Sequence, residues 1–336
     1  MSQEDLIQLA HGGGGRLSRD LIASEILSRF GAGPLQGLPD AATLPASGKR
    51  VVFTTDSFVV QPLEFPGGNI GNLAVHGTVN DIAVCGGLPK WLSLSLIMEE
   101  GLPLSTLRRI LDSVKVSAEE CGVVIATGDT KVVAHGQCDG IYINTSCIGE
   151  LLDGFDLGAN RIVEGDMILV SGPLGDHGMA VMACRENINI ENGPTSDTAT
   201  VHRLVLAAQE VASKIHFMRD PTRGGIAAVL NEAVEGRNIG ILLREQDIPF
   251  SAGARAVSEM LGIDLLHSAS EGRVILIAAP DAAPAILKKW KALAEGQNAA
   301  TIGTISGDHG RVVLHTVAGG RRLVDLPRGE MLPRIC

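Results

Sequence analysis

The chain closes on a thiol, in Leu332-Pro-Arg-Ile-Cys336. Packing reasons for a cysteine are weakest at a chain end, so the sulfur of Cys336 is the first candidate for chemistry. From Val324 to Cys336 is twelve residues, which extended would span ~40 Å. A tail of that reach can carry a group between sites. The α-carboxylate beside the thiol works against thiolate formation and Arg334 works for it, so Cys336 reads as a carrier sulfur acylated by an enzyme. An idle terminal residue is the alternative on composition alone.

Three acidic motifs stand where strands are expected to end: Thr55-Asp-Ser57, Asn80-Asp-Ile82 and Thr127-Gly-Asp-Thr-Lys131. Asp56, Asp81 and Asp129 could hold Mg²⁺ against a polyphosphate, because that ion takes a few carboxylates together with phosphate oxygens and water. Each alone reads equally as a turn or cap residue. Two glycine-rich stretches add anion-binding potential. His11-Gly-Gly-Gly-Gly-Arg16 offers the bare N–H groups of Gly12, Gly13 and Gly14 before a helix, with a plain tail turn as the alternative. In Asp220-Pro-Thr-Arg-Gly-Gly225 the guanidinium of Arg223 could reach a phosphate, the alternative being an ordinary helix start with Pro at its first position. A P-loop is absent, since Gly48-Lys49 is followed by Arg50, and Gly31-Ala-Gly33 meets Gln36 where a dinucleotide fingerprint needs glycine.

The elements that must position these groups follow from periodicity. Leu21, Ile22, Ile26, Leu27 and Phe30 predict a helix after the glycine cluster, ended by Gly31-Ala-Gly-Pro34, and residues 35–49 read as a linker. Strands are expected over 51–55, 91–98, 123–126 and 141–148, with helices opening at Gly67-Gly68 and running from Leu104 to Ala118. A second unit opens with a strand over 167–171, and continues with helices around 202–215, 226–233 and 283–293 and strands over 274–279 and near Ile302 and Val312. The expected fold class is therefore α/β in two lobes, residues 1–155 and 164–322, followed by a mobile tail over 323–336.

Composition excludes several function classes. The 336 residues are 45% apolar with only 3% aromatic, so aliphatic side chains and 41 glycines must build the cores. With 28 basic against 38 acidic residues the net charge is −10, which argues against a nucleic-acid binder. No apolar run reaches membrane-spanning length and the N-terminus is acidic, so a cytoplasmic location is expected. The six cysteines show no C-x-x-C pair and no zinc-type spacing. Cys85, Cys121, Cys147 and Cys184 read as small buried hydrophobes.

Taken together, these residues resemble the HypE family of hydrogenase-maturation carbamoyl dehydratases, in the PurM-like ATP-dependent superfamily. The resemblance runs end to end, through the motifs above and Phe65-Pro-Gly-Gly-Asn-Ile-Gly71, Glu99-Glu-Gly-Leu-Pro103, Ser171-Gly, Gly175-Asp-His-Gly178 and Glu271-Gly272. The terminal Pro333-Arg-Ile-Cys336 discriminates, because aminoimidazole ribonucleotide synthetase, thiamine monophosphate kinase and selenide water dikinase do not finish this way. It implies a PurM-like α+β fold with an N-terminal mixed-sheet dimerisation and ATP-binding domain and a C-terminal α/β domain. A homodimer paired through the N-terminal sheets is implied, with ATP and Mg²⁺ near that interface. The implied reaction is dehydration of a carboxamide on Cys336 to a thiocyanate, the cyanide source for [NiFe] hydrogenase iron. A carbamoyl-transferring maturation protein and iron-carrying scaffold proteins are the implied partners. Lys131 and Glu271 match positions the family associates with the carboxamide, as bases for its N–H protons; His76 is a further catalytic candidate, with a satisfied or exposed histidine as the alternative. Another PurM-like ATPase acting on a free small molecule, or a non-catalytic ATP-responsive scaffold, remains as an alternative reading.

Overall fold

The structure, a computed structural model, describes residues 16–21, 23, 42–45, 50–307, 310–326, 329, 332 and 334–336. The glycine cluster Gly12 to Gly15 lies outside the described residues. After a short helix α1 (Arg16–Leu21), the first lobe contains β1 (Ala42–Pro45), β2 (Arg50–Phe58), a ribbon of β3 (Glu64–Phe65) and β4 (Gly68–Asn69), and helix α2 (Ile70–Val84). It continues with β5 (Gly87–Glu99), α3 (Leu104–Cys121), β6 (Val124–Val133) and β7 (Ile141–Leu151). Its sheet runs β1-β2-β7-β5-β6, antiparallel except for the parallel β5–β6 pair at one edge.

The second lobe is built on a seven-stranded sheet. Its elements are β8 (Met167–Val170), α4 (Asp176–Arg185), α5 (His202–Ala208), β9 (Ile215–Arg219), α6 (Gly225–Val234), β10 (Gly240–Arg244) and α7 (Ala252–Leu261). Then follow β11 (Ile275–Ala278), α8 (Ala283–Trp290), β12 (Ala300–Ser306), β13 (Val312–His315) and β14 (Arg321–Leu323). The strand order is β14-β13-β10-β12-β8-β11-β9. Mixed α/β architecture was the expectation, and both lobes have it.

Three local expectations are corrected. Thr127 to Lys131 lie inside β6 and not at a strand end, and Asp81 lies in the last turn of α2. The stretch 202–215 is not one helix: Val211 leaves helical geometry and Ile215 opens β9, where Ile215 and Phe217 bury on alternate positions. A short alternation there outweighs the helical spacing upstream.

Helix α2 organises the molecule. It starts at Asn69, whose side chain accepts from the N–H groups of Gly71 and Asn72 while Asn72 Oδ1 accepts from Asn69 N at 2.7 Å, a reciprocal cap that satisfies donors left open at a helix start. Thirteen of its fifteen residues are buried, because it packs on the sheet of the first lobe and on α3 while Ala83 and Val84 join the second lobe's core around Leu204 and Trp290. Its buried polar members, among them His76, Thr78 and Asn80, therefore face protein on sides where a surface helix would face water. By contrast α3 buries one stripe, Ile110, Val114, Ala118 and Cys121.

Gly71 sets the α2–α3 distance, since a Cβ built there would lie 2.4 Å from the carbonyl oxygen of Ile110. Helix propensity alone would make Gly71→Ala a gain of ~1 kcal/mol. Backbone cannot yield as a side-chain end does, so the overpacking cost of about 1–3 kcal/mol should win. Urea unfolding of Gly71→Ala should show a lower midpoint at unchanged slope; a raised midpoint would refute this account of the packing.

Candidate functional site

Arg223 sits in the loop that leads from β9 into α6. Gly224 and Gly225 take φ values of 78° and 59°, and a Cβ on Gly225 would stand 2.6 Å from the carbonyl oxygens of Leu266 and Ser268. Only glycine permits this turn pressed against the 266–268 backbone, and Ser270 N donates to Pro221 O at 2.9 Å to hold it. Four acidic groups then surround the guanidinium: charge at Cys336 above all, then Asp56, Glu271 and Asp81, together hold its pKa above the ordinary arginine value against the opposing effect of desolvation. Chain separation here is large. Asp56 comes from β2, Asp81 from α2, Glu271 from the segment before β11, and Cys336 from the terminus.

Glu271 is 2% exposed. Burial pushes its pKa well above the carboxylate range, and the neighbouring acids Asp220, Asp197 and Asp56 push the same way while Arg223 opposes. Its Oε1 has no hydrogen-bond partner. Its backbone, by contrast, is fully held. Glu271 N donates to Asp197 Oδ1 at 2.9 Å, Asn80 Nδ2 donates to Glu271 O at 3.2 Å and to Ala199 O at 3.0 Å, and Val201 N donates to Asn80 Oδ1 at 2.8 Å. Gly272 makes this possible: a Cβ there would meet the carbonyl oxygen of Asp197 at 1.9 Å. Asp197 is itself buried, its pKa raised by burial, with Arg273 Nε 3.4 Å away as the opposing charge. A carboxyl group whose pKa burial raises and a nearby arginine lowers is suited to proton transfer.

The terminus is seated, with each of its last three carbonyls engaged. Arg334 O accepts from Gln61 N at 3.3 Å and from Arg185 Nη2, Ile335 O accepts from His177 Nε2 at 2.7 Å, and Cys336 O accepts from Val59 N at 3.1 Å. The Arg334 side chain donates to Val59 O at 3.1 Å, pairs with Asp139 and lies over the Tyr142 ring at 5.9 Å. Leu332 and Ile335 are buried among Phe58, Ile141, Met179 and Val257. Cys336 is half-buried.

Other sequence candidates lie elsewhere. Asp56 shares a row across the sheet with Thr145, Leu94 and Gly128, so three inter-strand steps of ~4.8 Å put Asp129, one residue further along β6, ~14 Å or more from it. Asp129 and Lys131 are exposed on the edge strand. His76 is 4% exposed, with Nε2 3.5 Å from Glu120 Oε2 and His202 nearby; burial, then the charge of His202, lowers its pKa to about 4. No three His, Cys, Asp or Glu side chains converge on one point among the described residues. Asp56 and Asp81 remain as a pair of hard oxygen donors, with Asp81 Oδ2 accepting from Thr54 Oγ1 at 2.8 Å. Such a pair fits Mg²⁺, which takes its remaining ligands from phosphate and water.

Sequence reading passed over Asp197 and Arg185 and quoted Asp220, His177 and Asn80 only within motifs. Asp220 stands in the motif of Arg223 and could have been weighed with it. Asp197 and Arg185 carry no local signal, since their partners are 74 and 149 residues away in sequence.

Comparison with known proteins places this geometry. Residues 39–151 match the N-terminal domain, and residues 163–315 the C-terminal domain, of the AIR synthase related protein family. The carbamoyl dehydratase HypE of Bradyrhizobium diazoefficiens is 46% identical over 98% of this chain and 96% of its own length, and that of Escherichia coli is 41% identical over 98% and 99%. Among solved structures, a HypE–HypF complex matches with a TM-score of 0.87 at 40% identity, over 91% of this chain and 99% of that one. A hydrogenase maturation protein HypE in complex with ATP matches with 0.82 at 40%, over 98% and 100%. Thiamine monophosphate kinase of Aquifex aeolicus, at 19% identity and a TM-score of 0.65 over 96% and 99%, shares the fold alone. With full-length identity above 40% and a terminal cysteine whose charge acts on Arg223, this chain belongs to the HypE family of hydrogenase-maturation carbamoyl dehydratases.

Proposed function

We propose that this enzyme dehydrates a carboxamide carried on its own Cys336 to a thiocyanate at the expense of ATP, and so supplies the cyanide ligand for the iron of a [NiFe] hydrogenase. The observation that supports it is the position of the terminal cysteine, seated beside Arg223 in a cluster that also contains Asp56, Asp81 and Glu271. The solved relative bound to ATP supports the nucleotide, and the relative bound to HypF supports a carbamoyl-transferring partner. Iron-carrying maturation proteins would then accept the cyanide.

In that reaction the S–C(=O)–NH₂ group loses its C–O bond and both N–H protons and gains a C≡N bond; the oxygen leaves on phosphate and ADP is released. ATP would supply the phosphoryl group that makes the amide oxygen a leaving group, and Asp56 and Asp81 would hold Mg²⁺, which would neutralise phosphate charge. Arg223 adds fixed positive charge where the oxygen departs. Burial raises the Glu271 pKa and Arg223 opposes that rise, so once ionised in its dry setting the carboxylate is a stronger base than an ordinary one. Lys131 is the second candidate to accept an N–H proton. Gly12, Gly13 and Gly14 would donate to the phosphates.

Because Asp129 and Lys131 stand on the exposed edge strand, the active form proposed is a homodimer. The outer face and edge of the first sheet expose Phe53, Trp91, Ile97, Val124, Ile125, Val132 and Ile148, an apolar surface that a second copy would cover. Two lobes with a tail that leaves its seat for loading and returns for dehydration complete the proposal. No helix among the described residues is long and apolar enough to cross a membrane, in keeping with the cytoplasmic location proposed.

Intact-mass measurement of carbamoylated chain should show the loss of one water only when ATP is present, and Cys336→Ala should form no thiocyanate. Turnover of a free small molecule by the tail-deleted chain would favour the other PurM-like ATPases, and partner binding without thiocyanate would favour a scaffold. Glu271→Gln should abolish water loss while leaving the fold intact. In the folded wild type the Glu271 proton is held at pH values where the unfolded chain has released it, so its stability falls as pH rises from the unfolded pKa through the folded one. Melting temperatures at pH 6 and 9 should therefore drop less in Glu271→Gln than in wild type. Trp91→Glu should shift the chain from dimer to monomer by light scattering, and an unchanged mass would argue against this face.

A further inference from the structure

His177 belongs to Gly175-Asp-His-Gly178, a motif the reaction above leaves without a role. The ring is 0% exposed and makes two polar contacts, Nε2 with Ile335 O at 2.7 Å and Nδ1 with Ser196 Oγ at 2.8 Å. A carbonyl oxygen can only accept, so Nε2 carries the proton and Nδ1 accepts from the Ser196 hydroxyl. Burial keeps the ring neutral, with a pKa lowered to about 4, which preserves that one tautomer. Phe65 meets the ring edge-on at 5.3 Å and fixes its plane.

Ser196 ties this contact to the site. Its Oγ also receives Thr198 N at 3.1 Å, its N donates to Pro66 O at 2.8 Å, and the next residue, Asp197, is the acceptor for Glu271 N. One short segment thus holds both the histidine that grips the tail and the backbone of Glu271. A second grip is independent of this segment: Arg185, on the last turn of α4, donates both to Gln61 O and to Arg334 O. These contacts address main-chain oxygens next to the cysteine and leave its sulfur to the chemistry.

We propose that His177 is a positioning residue, a latch whose bond to the Ile335 carbonyl, aligned by Ser196 and backed by Arg185, holds the Cys336 sulfur in the dehydration position and must open for the sulfur to be loaded. The inference rests on the reading of Cys336 as the carrier. It requires that latch strength set the fraction of time the thiol is withdrawn from solvent.

The test measures alkylation of Cys336 by iodoacetamide in the full-length chain, read on the peptide that follows Glu330. Loss of one buried donor should speed alkylation on the order of tenfold in His177→Phe. His177→Gln, whose side-chain amide restores an N–H donor, should stay within about twofold of wild type. Arg185→Leu, at a half-exposed position, should also speed alkylation and decides the matter if His177→Phe loses its cooperative melting transition. On carbamoylated chain, His177→Phe should lower kcat for water loss while KM for ATP stays within about twofold. Equal alkylation rates in wild type, His177→Phe and Arg185→Leu, all with cooperative melting, would overturn the latch. If wild-type carbamoylated chain loses no water with ATP, the dehydratase reading falls while the alkylation rates still judge the latch.

Discussion

A carboxyl group buried among other acids is costly, and Glu271 imposes that cost on everything around it. Asp197 and Asp220 lie close by, so ionising Glu271 in its resting state would place several negative charges in a region of low dielectric. The fold responds with positive and polar groups drawn from distant segments: Arg223 beside the cluster, Arg273 against Asp197, and Asn80 on the Glu271 carbonyl. Gly272 lets two backbones approach where no Cβ would fit. Remove any of these and the carboxyl either moves or is left without its compensating neighbours.

The same constraint explains how the tail can be both held and released. Its grip is spread over the carbonyls of residues 334, 335 and 336 and over the buried side chains of Leu332 and Ile335. Each such bond has a modest net worth of about 1 kcal/mol, so the seat is firm in sum yet open to exchange. The α2 helix stands behind both features. It delivers Asn80 to the Glu271 backbone and Asp81 to the neighbourhood of Arg223 from one buried rod shared by the two lobes.

Much of this was legible as separate pieces. The alternation of β7 and the stripe of α3 follow from the period of their apolar residues, and the cap at Asn69 from the Gly-Gly-Asn-Ile pattern. Helix α2 was legible as a helix, but its burial on all sides was not, because that depends on what the second lobe brings against it. The stretch after His202 misled, since a helical spacing continued to Ile215 while the backbone had already turned into β9. Asp129 misled in another way: its motif resembles those of Asp56 and Asp81, yet strand order carries it to the sheet edge.

From sequence alone came the α/β class, the terminal thiol and the Asp56, Asp81 and Arg223 candidates, because each is written in local periodicity or in a contiguous motif, while Glu271 came from the family resemblance those motifs carry. Tertiary structure alone decided that Glu271 is buried with a raised pKa, that Arg223 is the charge these acids share, and that His177 and Arg185 meet the tail. The reason is physical. A pKa or a hydrogen bond depends on distance and dielectric through space, and the partners here lie 48 to 215 residues apart along the chain.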